Sequence, residues 1–329
     1  MDSRYSLRPA TMADLESYLA LYTAETLEIY GESSITLEDV QGEWTKPGFD
    51  VETGTMAAFL PTGEMIALIT IHDYHAVPVR PVVLGYVHPD YRGQGIGTRI
   101  TEWAIERCRQ VFDRVPPDAR VVMQDYGVVR SADPLLLEMG FETKRQSLQM
   151  EIHLNGTIPR PVFPQGFTIQ SMADGISLEQ LVITSVQSFR DHRGYIDRPL
   201  EDSIAHWQHD IDALKDVFDP ALFLLLLDGD TPAGELMAWP VSEESREKAW
   251  VSSLGILPEY RRRGLASQML YQIFHTLQER GIFRVALGVD GSSLTGATKL
   301  YEKVGMHIAQ RFNAYELELR PGIEMTNQG

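Results

Sequence analysis

The chain has 329 residues, of which 43% are hydrophobic, and a formal net charge of -17 at pH 7. Its length predicts about two domains of roughly 150 residues each, and its acidity argues against a nucleic-acid partner, which needs a basic surface to displace counterions from phosphate. Because Cys108 is the single cysteine, an internal disulfide and a Cys-based zinc site are excluded, and we expect this residue to be a buried apolar one.

The hydrophobic pattern predicts neither a membrane span nor a secretion signal. The densest apolar patch, at 221–229, is strand-length and shorter than the roughly 18 residues that mark a spanning helix. The first residues are acidic and polar where a signal peptide has a basic flank and an apolar stretch. We therefore expect a cytoplasmic protein with no membrane partner.

The first half alternates helices and strands. The predicted order is a helix from Met12, a hairpin around Gly63, a strand that ends at Val87, a helix from Gly95, a strand at 120–124, a short helix that ends at Met139 and a strand from Phe141. Proline and glycine then concentrate at 156–165, where they resist regular structure, so this segment is predicted to be a linker.

The second half repeats that order. It predicts a strand over 166–170, helices from 177 and around 200–214, a hairpin over 221–240, a strand over 249–257, a helix from 264 to 281, a strand over 283–289, a short helix over 295–305 and a last strand from 306. The helix after Gly264 has apolar residues at the three-four spacing of an amphipathic helix.

Short stretches recur in the same order in both halves. The pairs are PDYRGQGIGT at 89–98 with PEYRRRGLAS at 258–267, MAD at 12–14 with the same letters at 172–174, and EMGF at 138–141 with KVGM at 303–306. Such a series predicts a duplicated domain of mixed α/β class. We place the N-terminal domain at 1–155, the linker at 156–165 and the C-terminal domain at 166–329.

The basic, glycine-containing turn in each half stands between a strand and a long helix. The first turn of a helix leaves backbone N–H groups without intrahelical partners and carries a partial positive charge, so an anion is favoured there. Gly264 lets the backbone approach an anion without a Cβ clash, Ala266 keeps the next position open, and the arginines add charge. The pattern predicts a phosphate or pyrophosphate site.

Two common nucleotide motifs do not fit these turns. A Walker A loop needs a lysine followed by a hydroxyl residue, and neither copy has that pair. A dinucleotide turn needs G-x-G-x-x-G, but the first copy has Thr98 in place of the third glycine and the second copy has only Gly264.

The spacing R-x-x-G-x-[GA] resembles the signature of the GCN5-related N-acetyltransferase (GNAT) superfamily. The residues that carry it are Arg92, Gly95 and Gly97 in the first half and Arg261, Gly264 and Ala266 in the second. The segment ATKLYEKVGM at 297–306 and the order of elements are also similar to that family. The resemblance covers nearly the whole chain, and its tandem arrangement resembles acetyltransferases of the mycothiol synthase type.

The resemblance implies two tandem GNAT-type domains, each a mostly antiparallel mixed sheet flanked by helices with a splayed central strand pair. It implies acetyl-CoA as cosubstrate and no metal, with the pantetheine arm along a strand and the pyrophosphate on the turn. The cofactor residues implied in the second half are Leu254, Gly255, Ile256, Arg261, Arg262, Arg263, Gly264, Leu265, Ala266 and Ser267. Those implied in the first half are Val87, Arg92, Gly93, Gln94, Gly95, Ile96 and Gly97.

Tyr301 is the candidate catalytic residue in the family segment, because a phenol that titrates near 10 can protonate a departing thiolate. The alternative is a tyrosine that packs a short helix. Backbone N–H groups at 254–256 are the expected oxyanion partner. The general base is open, since Glu235 and Glu247 lie within plausible reach, each is expected to be solvated, and a water chain could serve instead.

Other polar and aromatic residues have a structural interpretation beside a functional one. Asp191, His192 and Tyr195 follow the first helix of the second half, where this family builds its acceptor pocket, or they form a structural turn. Trp207 and Trp239 are expected in the core or in a pocket wall. No metal is proposed for the histidines near the first turn, which lack a clear ligand spacing: His72, His75 and His88.

The two halves diverge at the catalytic end. Aligning Gly140 with Gly305 places Leu136 where Tyr301 stands. We expect the C-terminal domain to catalyse acetyl transfer to a primary amine of a small molecule, as a monomer or homodimer. The N-terminal domain would be structural, bind CoA without turnover or shape the acceptor cleft. Two alternatives stay open, namely a peptide or protein acceptor and a non-catalytic acyl-CoA sensor.

Overall fold

The computed structural model describes residues 4–74, 77–127, 132–192, 194–291 and 296–326. Contacts divide the chain into two compact units. The N-terminal unit comprises Met1–Arg145 and Phe312–Met325, and the C-terminal unit comprises Gln146–Arg311 and Thr326–Gly329. Within the described ranges, no helix is both long and apolar enough to cross a membrane.

The N-terminal unit is a mixed sheet with helices. Its strands are β1 (Ser6–Arg8), β2 (Thr55–Phe59), β3 (Met65–His72), β4 (Val82–Val87), β5 (Val121–Gly127) and the end of β12 (His307–Arg320). Its helices are α1 (Leu15–Tyr30), α2 (Leu37–Trp44), α3 (Val51–Gly54), α4 (Ile96–Arg109) and α5 (Asp133–Glu138). Neighbouring strands pair antiparallel except β4 with β5, which are parallel.

Helix α4 shows why this unit folds as the sequence pattern predicts. Ile96, Ile100, Ala104 and Cys108 recur every four residues and are all buried in one hydrophobic cluster. This stripe gives the helix a single apolar face toward the sheet. The expectation that Cys108 is a buried apolar residue is confirmed, because its side chain is 0% exposed.

The C-terminal unit repeats the plan. Its strands are the later part of β6 (Glu142–His153), then β7 (Phe167–Ser171), β8 (Phe223–Asp228), β9 (Thr231–Trp239), β10 (Lys248–Ile256) and β11 (Arg284–Asp290). Its helices are α6 (Leu178–Phe189), α7 (Leu200–Ala213), α8 (Leu265–Glu279) and α9 (Ala297–Lys303). The rings of Trp207 and Trp239 both pack edge-on against Phe223, so the predicted core placement of these tryptophans is confirmed.

The last strand of each repeat pairs within the other compact unit. Residues 147–153 of β6 pair with β11, and residues 313–320 of β12 pair with β5. The compact units therefore differ from the continuous segments 1–155 and 166–329 that the sequence predicts. Sheet pairing uses backbone groups that every strand offers, so the apolar pattern alone does not choose between two similar partners.

The predicted linker at 156–165 lacks helix and strand, as its composition indicates, but it lies along α8. The Val162 N–H donates to Gln268 Oε1 at 2.7 Å, and the His275 ring bonds to the Pro159 carbonyl at 3.1 Å. Ile158 is also buried. This segment is therefore a packed part of the C-terminal unit.

In both units the parallel strand pair is joined only at its base. Strand β4 pairs with β5 at Val82 and Val83, and β10 pairs with β11 over 248–251. Beyond these residues β4 and β10 keep their antiparallel partners β3 and β9 but leave β5 and β11. The predicted fold class, a mixed sheet with a splayed central pair in each repeat, is confirmed, and each gap opens toward the basic turn.

Candidate active site

The turn before α8 presents a row of backbone amides. Gly264 has φ of 78°, and the first intrahelical hydrogen bond runs from the Gln268 N–H to the Gly264 carbonyl at 3.4 Å. The amides of residues 262–267 precede that bond and lack a helical acceptor. A Cβ on Gly264 would meet no atom within 4 Å, so open space adjoins the turn. This geometry fits a phosphate or pyrophosphate.

Arg261, the first residue of the motif, clamps the turn in place. Its Nε donates to the Ile256 carbonyl at 3.0 Å, and its Nη2 donates to the Ser188 carbonyl at 2.7 Å. The guanidinium also pairs with Asp191, which lowers the pKa of that carboxyl. Since its donors face the protein, we infer that Arg261 acts on an anion through the shape of the turn.

Arg262 is the strained residue of the turn. Its φ is 62°, and among the described residues it is the only non-glycine residue with positive φ. Such a conformation costs roughly 1 kcal/mol for a residue that carries a Cβ. Its side chain is exposed and has no hydrogen bond or ion pair within the described part of the chain. Arg262 is therefore the cation of this turn that is available to an anion.

Arg263 differs from Arg262 in being held by its own turn. Its guanidinium lies 5.3 Å from the centre of the Tyr260 ring and donates to the Glu259 carbonyl at 3.0 Å. The contact with the ring is a cation–π interaction, which contributes roughly 0.5–1 kcal/mol at an exposed site. Arg263 thus adds positive charge to the turn from a fixed position.

The first copy of the turn has the same backbone conformation, with Gly93 at the position that the strained Arg262 takes in the second copy. Gly93 has φ of 71° and Gly95 has φ of 76°. Arg92 donates through Nε to the Val87 carbonyl at 3.0 Å and pairs through both terminal nitrogens with Glu28. The motif arginine is therefore a clamp in both repeats.

The other predicted turn residues divide between surface and core. Gln94 is exposed on the first turn, and Gly97 faces the Leu135 side chain at a distance of 3.1 Å from the position that a Cβ would take. In contrast, Ile96, Leu265 and Ser267 are buried, whereas Ala266 is half-buried. The buried side chains anchor each helix, so only their amides can contribute to an anion site.

Strand β10 leaves backbone groups unpaired along the gap. The Leu257 N–H donates to the Ala233 carbonyl of β9. Because the N–H and C=O groups of successive residues point to opposite sides of a strand, those of Gly255 also point to β9, whereas those of Leu254 and Ile256 point into the gap. The Ile256 carbonyl accepts from Arg261. The amide and carbonyl of Leu254 and the Ile256 N–H remain for an extended ligand.

Glu235 lies opposite Gly255 and is 0% exposed. Ser253 Oγ donates to its Oε1 at 2.7 Å and also lies 3.3 Å from Ser185 Oγ. Its Oε2 has no partner among the described residues. Burial raises the pKa of Glu235 to about 8. The expectation of a solvated carboxylate is wrong here, because Ser188 of α6 covers this face of the sheet.

Glu247 does not share this environment. It is exposed and precedes the first residue of β10, at the end of the strand away from the turn. Eight residues of strand, about 26 Å, separate it from Gly255. The expectation that Glu247 lies within reach of the site is therefore wrong, and Glu235 is the candidate base.

Tyr301 lies on α9 and is 9% exposed within the core of the C-terminal unit. Burial, with the charge of Glu235 as a second cause, raises the pKa of Tyr301 to about 12. The phenol therefore keeps its proton at neutral pH. Tyr301 is therefore packed in the core and also feels the charge of Glu235, so the structure leaves both its structural and its catalytic interpretation open.

The loop after α6 is held by its own contacts. Asp191 pairs with Arg261, and the Tyr195 hydroxyl donates to Asp197 at 3.1 Å. The His192 ring packs edge-on against Phe189, and burial lowers the pKa of this histidine. These contacts favour the structural alternative for Asp191 and Tyr195.

The histidines near the first turn make local contacts. His72 stacks on Phe49 with ring centres 5.4 Å apart, and His88 accepts from the Asp90 N–H at 3.4 Å, whereas His75 lies outside the described residues. Within the described ranges, no three His, Cys, Asp or Glu side chains are grouped as metal ligands.

A sequence profile described as the acetyltransferase (GNAT) family matches residues 16–115 and 188–306, which is more than half of the chain and includes both turns. The chain belongs to the acetyltransferase (GNAT) family. This GNAT protein is 31% identical over 228 residues to a mycothiol acetyltransferase from Salinispora arenicola, with 67% of each sequence covered. It is an N-acetyltransferase, and the predicted family is confirmed.

Solved structures support the tandem arrangement of this GNAT protein. A GCN5-related N-acetyltransferase from Sphaerobacter thermophilus matches with a TM-score of 0.77 and 28% identity, and 98% of both chains is covered. A tandem GNAT protein from the clavulanic acid biosynthesis pathway has the same fold, with a TM-score of 0.68, 13% identity and coverage of 97% and 100%.

The two repeats of this GNAT protein differ at the positions of Glu235 and Tyr301. Glu235 of β9 pairs with Gly255 of β10. The equivalent pair in the N-terminal unit is Leu68 of β3 with Tyr86 of β4. Leu136 stands in the position of the candidate phenol and is 3% exposed. The N-terminal unit therefore has the turn without a carboxyl or a phenol at these two positions.

The gap of the N-terminal unit contains a cavity of about 260 Å³ between β4, β5, α4 and α5. One of its lining residues, Asp125, was missed by the sequence analysis. The signal was a carboxylate in β5, VVMQDYG, at a strand position that shares its face with the buried Val121 and Met123. Glu235 carried the same signal in β9.

Proposed function

We propose that the C-terminal unit transfers an acetyl group from acetyl-CoA to a primary amine of a small molecule. The observation that carries this proposal is the fully buried Glu235, which lies opposite Gly255 of β10 and whose Oε2 has no partner among the described residues. Its charge also contributes to the raised pKa of Tyr301. A relative that is 31% identical is a mycothiol acetyltransferase, which supports a small-molecule acceptor.

The residues present fit acetyl-CoA. The amides at 262–267 and the Arg262 side chain would hold the pyrophosphate, and the polar backbone groups of Leu254 and Ile256 would pair with the pantetheine arm. Bound there, acetyl-CoA supplies an activated acetyl thioester. Gly255 of β10 and Gly234 of β9 stand where no side chain would fit. A Cβ on Gly255 would lie 2.6 Å from the Ser188 Cβ, and a Cβ on Gly234 would lie 2.6 Å from the Gly255 carbonyl oxygen.

The proton balance assigns one role to each side chain. The amine nitrogen forms a bond to the acetyl carbon while the carbon–sulfur bond breaks. Glu235 accepts the proton that the amine nitrogen loses, and its pKa of about 8 places this base near the working range. Tyr301 donates a proton to the departing sulfur, since its raised pKa keeps the phenol protonated.

The C-terminal unit is assigned this chemistry because the N-terminal unit has Leu68 and Leu136 at the matching positions. Neither side chain can move a proton. The N-terminal unit would then bind CoA without turnover or support the fold. Comparing the turnover of Gly97→Glu with that of Ala266→Glu tests this assignment, since each variant places a carboxylate at the second residue of the helix that follows one of the two turns.

Acetyl-CoA-dependent thiol release with a panel of amines tests the proposed function. The panel contains amino sugars, aminothiols and a basic peptide, and the expected result is release with a small-molecule amine that Ala266→Glu removes. Preference for the peptide would indicate a protein acceptor. Binding of CoA without release from any amine would overturn the proposal in favour of a sensor.

A further inference from the structure

The cavity in the N-terminal unit has two chemically different ends. At the mouth, the amides of residues 93–98 precede the first intrahelical bond of α4, from the Arg99 N–H to the Gly95 carbonyl at 3.2 Å. A Cβ on Gly93 or Gly95 would meet no atom within 4 Å, so this mouth is open. It favours a phosphate group.

The inner end is formed where β4 and β5 part. Asp125 pairs with Val83 at the last joined step of the two strands, and its side chain lines the cavity. From Val87, where the turn begins, four residues of strand place this step about 13 Å inward. The distance suits a long ligand that enters from the turn.

Asp125 has no polar partner among the described residues. It is 8% exposed, and no hydrogen bond or ion pair holds its carboxyl within the described part of the chain. The cavity lining combines apolar side chains such as Ile69, Ile100 and Leu136 with the hydroxyl residues Thr101 and Tyr126, and no hydrogen bond joins these two hydroxyls to the carboxyl. Burial raises the pKa of Asp125 to about 7, so above that pH the group accepts hydrogen bonds only.

We propose that this cavity is a second site, selective for free CoA over acetyl-CoA, with Asp125 as the residue that recognises the thiol. This inference rests on the proposed function, because it takes the turn to be a CoA-type phosphate site. A thiol brings a donor to the Asp125 carboxylate. An acetyl thioester brings acceptors and a methyl group, and it leaves the carboxylate unsatisfied. The N-terminal unit thus senses the product that the C-terminal unit releases.

Binding to the full chain tests this selectivity. The Ala266→Glu background blocks the C-terminal turn without disturbing a positive φ, and titration calorimetry at pH 8 then compares CoA, acetyl-CoA and desulfo-CoA. We expect CoA to bind about tenfold more tightly than either of the others, the effect of one hydrogen bond to a charged acceptor. Adding Gly97→Glu removes the binding if it occurs at the N-terminal turn.

Two substitutions of Asp125 separate recognition from folding. Asp125→Asn keeps the shape but adds a donor, and Asp125→Leu makes the inner end apolar, so both should reduce the tenfold preference to less than twofold while thermal unfolding stays cooperative. Equal binding of CoA and acetyl-CoA before substitution would overturn the inference, and so would an unchanged preference in both variants.

The outcomes for the two proposals differ. If wild-type protein releases thiol with an amine but the Ala266→Glu protein binds no CoA, only the second site is wrong. If wild-type protein releases none while Ala266→Glu retains selective CoA binding, the proposed catalytic function is wrong and the second site stands.

Discussion

Glu235 and Gly255 face each other across β9 and β10, and a Cβ on Gly255 would lie 2.8 Å from Glu235 Oε1. The glycine therefore makes the space that the carboxyl occupies. In the N-terminal unit the matching pair is Leu68 and Tyr86, and the Tyr86 hydroxyl donates to Glu28 at 3.1 Å. This pair of positions thus holds a buried carboxyl in the C-terminal unit and does not in the N-terminal unit.

Glu235→Gln should lower kcat/KM by at least about a hundredfold, because a positioned general base contributes about 10²–10⁴. The wild-type kcat/KM should rise with pH and level off above about 8, where Glu235 is ionised, and the variant should lose this limb. Steady-state rates between pH 6 and 9.5 measure both effects. Glu247→Gln, which removes an exposed carboxylate, is the control, and an unaltered pH limb in Glu235→Gln would assign the base elsewhere.

The same substitution should stabilise the fold at high pH. The folded pKa of Glu235, about 8, lies above the ordinary value, so the folded state keeps a proton that the unfolded state releases. Wild-type stability is therefore lost as pH rises from about 4 to 8, and the advantage of Gln should grow to the order of 4 kcal/mol at pH 8. Urea unfolding at pH 5 and 8 measures it. A pH-independent difference would contradict the raised pKa.

Tyr301→Phe should lower kcat by about a hundredfold while the KM for acetyl-CoA changes by less than threefold, because in the proposed mechanism the phenol protonates the leaving sulfur and the ring packing is retained. Steady-state kinetics with a fixed amine would show the split. Tyr271→Phe is a matched control on α8, where the tyrosine is half-buried against the same core. A change in KM alone would identify Tyr301 as a binding residue.

Arg262→Gly should raise the free energy of unfolding by about 1 kcal/mol, since it removes a Cβ from a left-handed conformation. The same change should weaken CoA binding, because the exposed cation of the turn is lost. Chemical unfolding and calorimetry measure the two effects. The converse substitution, Gly93→Arg, should cost about 1 kcal/mol. If neither Arg262→Gly nor Gly93→Arg changed the free energy of unfolding relative to wild type, the backbone would be relaxing at this position.

Glu316→Leu should destabilise the protein by about 2 kcal/mol, because this buried carboxylate of β12 accepts from Arg80 and Gln124. Glu318→Leu, two residues along the same strand, removes an exposed partner of Arg120 and should cost less than about 1 kcal/mol. Urea unfolding compares them. Similar costs would indicate that the paired end of β12 contributes little to the N-terminal unit.

The sequence by itself determined the family, the duplication and the turn. Glycine and arginine at fixed spacing before an amphipathic helix specify a local backbone conformation, and Gly93, Gly95 and Gly264 adopt the positive φ that such a turn needs. The apolar periodicities fixed the helices and strands for the same reason, since they depend on neighbours within a few residues.

Only the tertiary structure decided which carboxylates are buried and which strands complete each sheet. The sequence left both Glu235 and Glu247 as candidate bases, but α6 covers the first and solvent surrounds the second. Asp125 became a candidate ligand-binding residue only because the folded chain places it in a cavity that α4 and α5 also line. Burial, pKa and strand partner depend on residues distant in the chain, so the alternation along one strand can mark a core-facing carboxylate but does not show what covers it or which strand pairs with it.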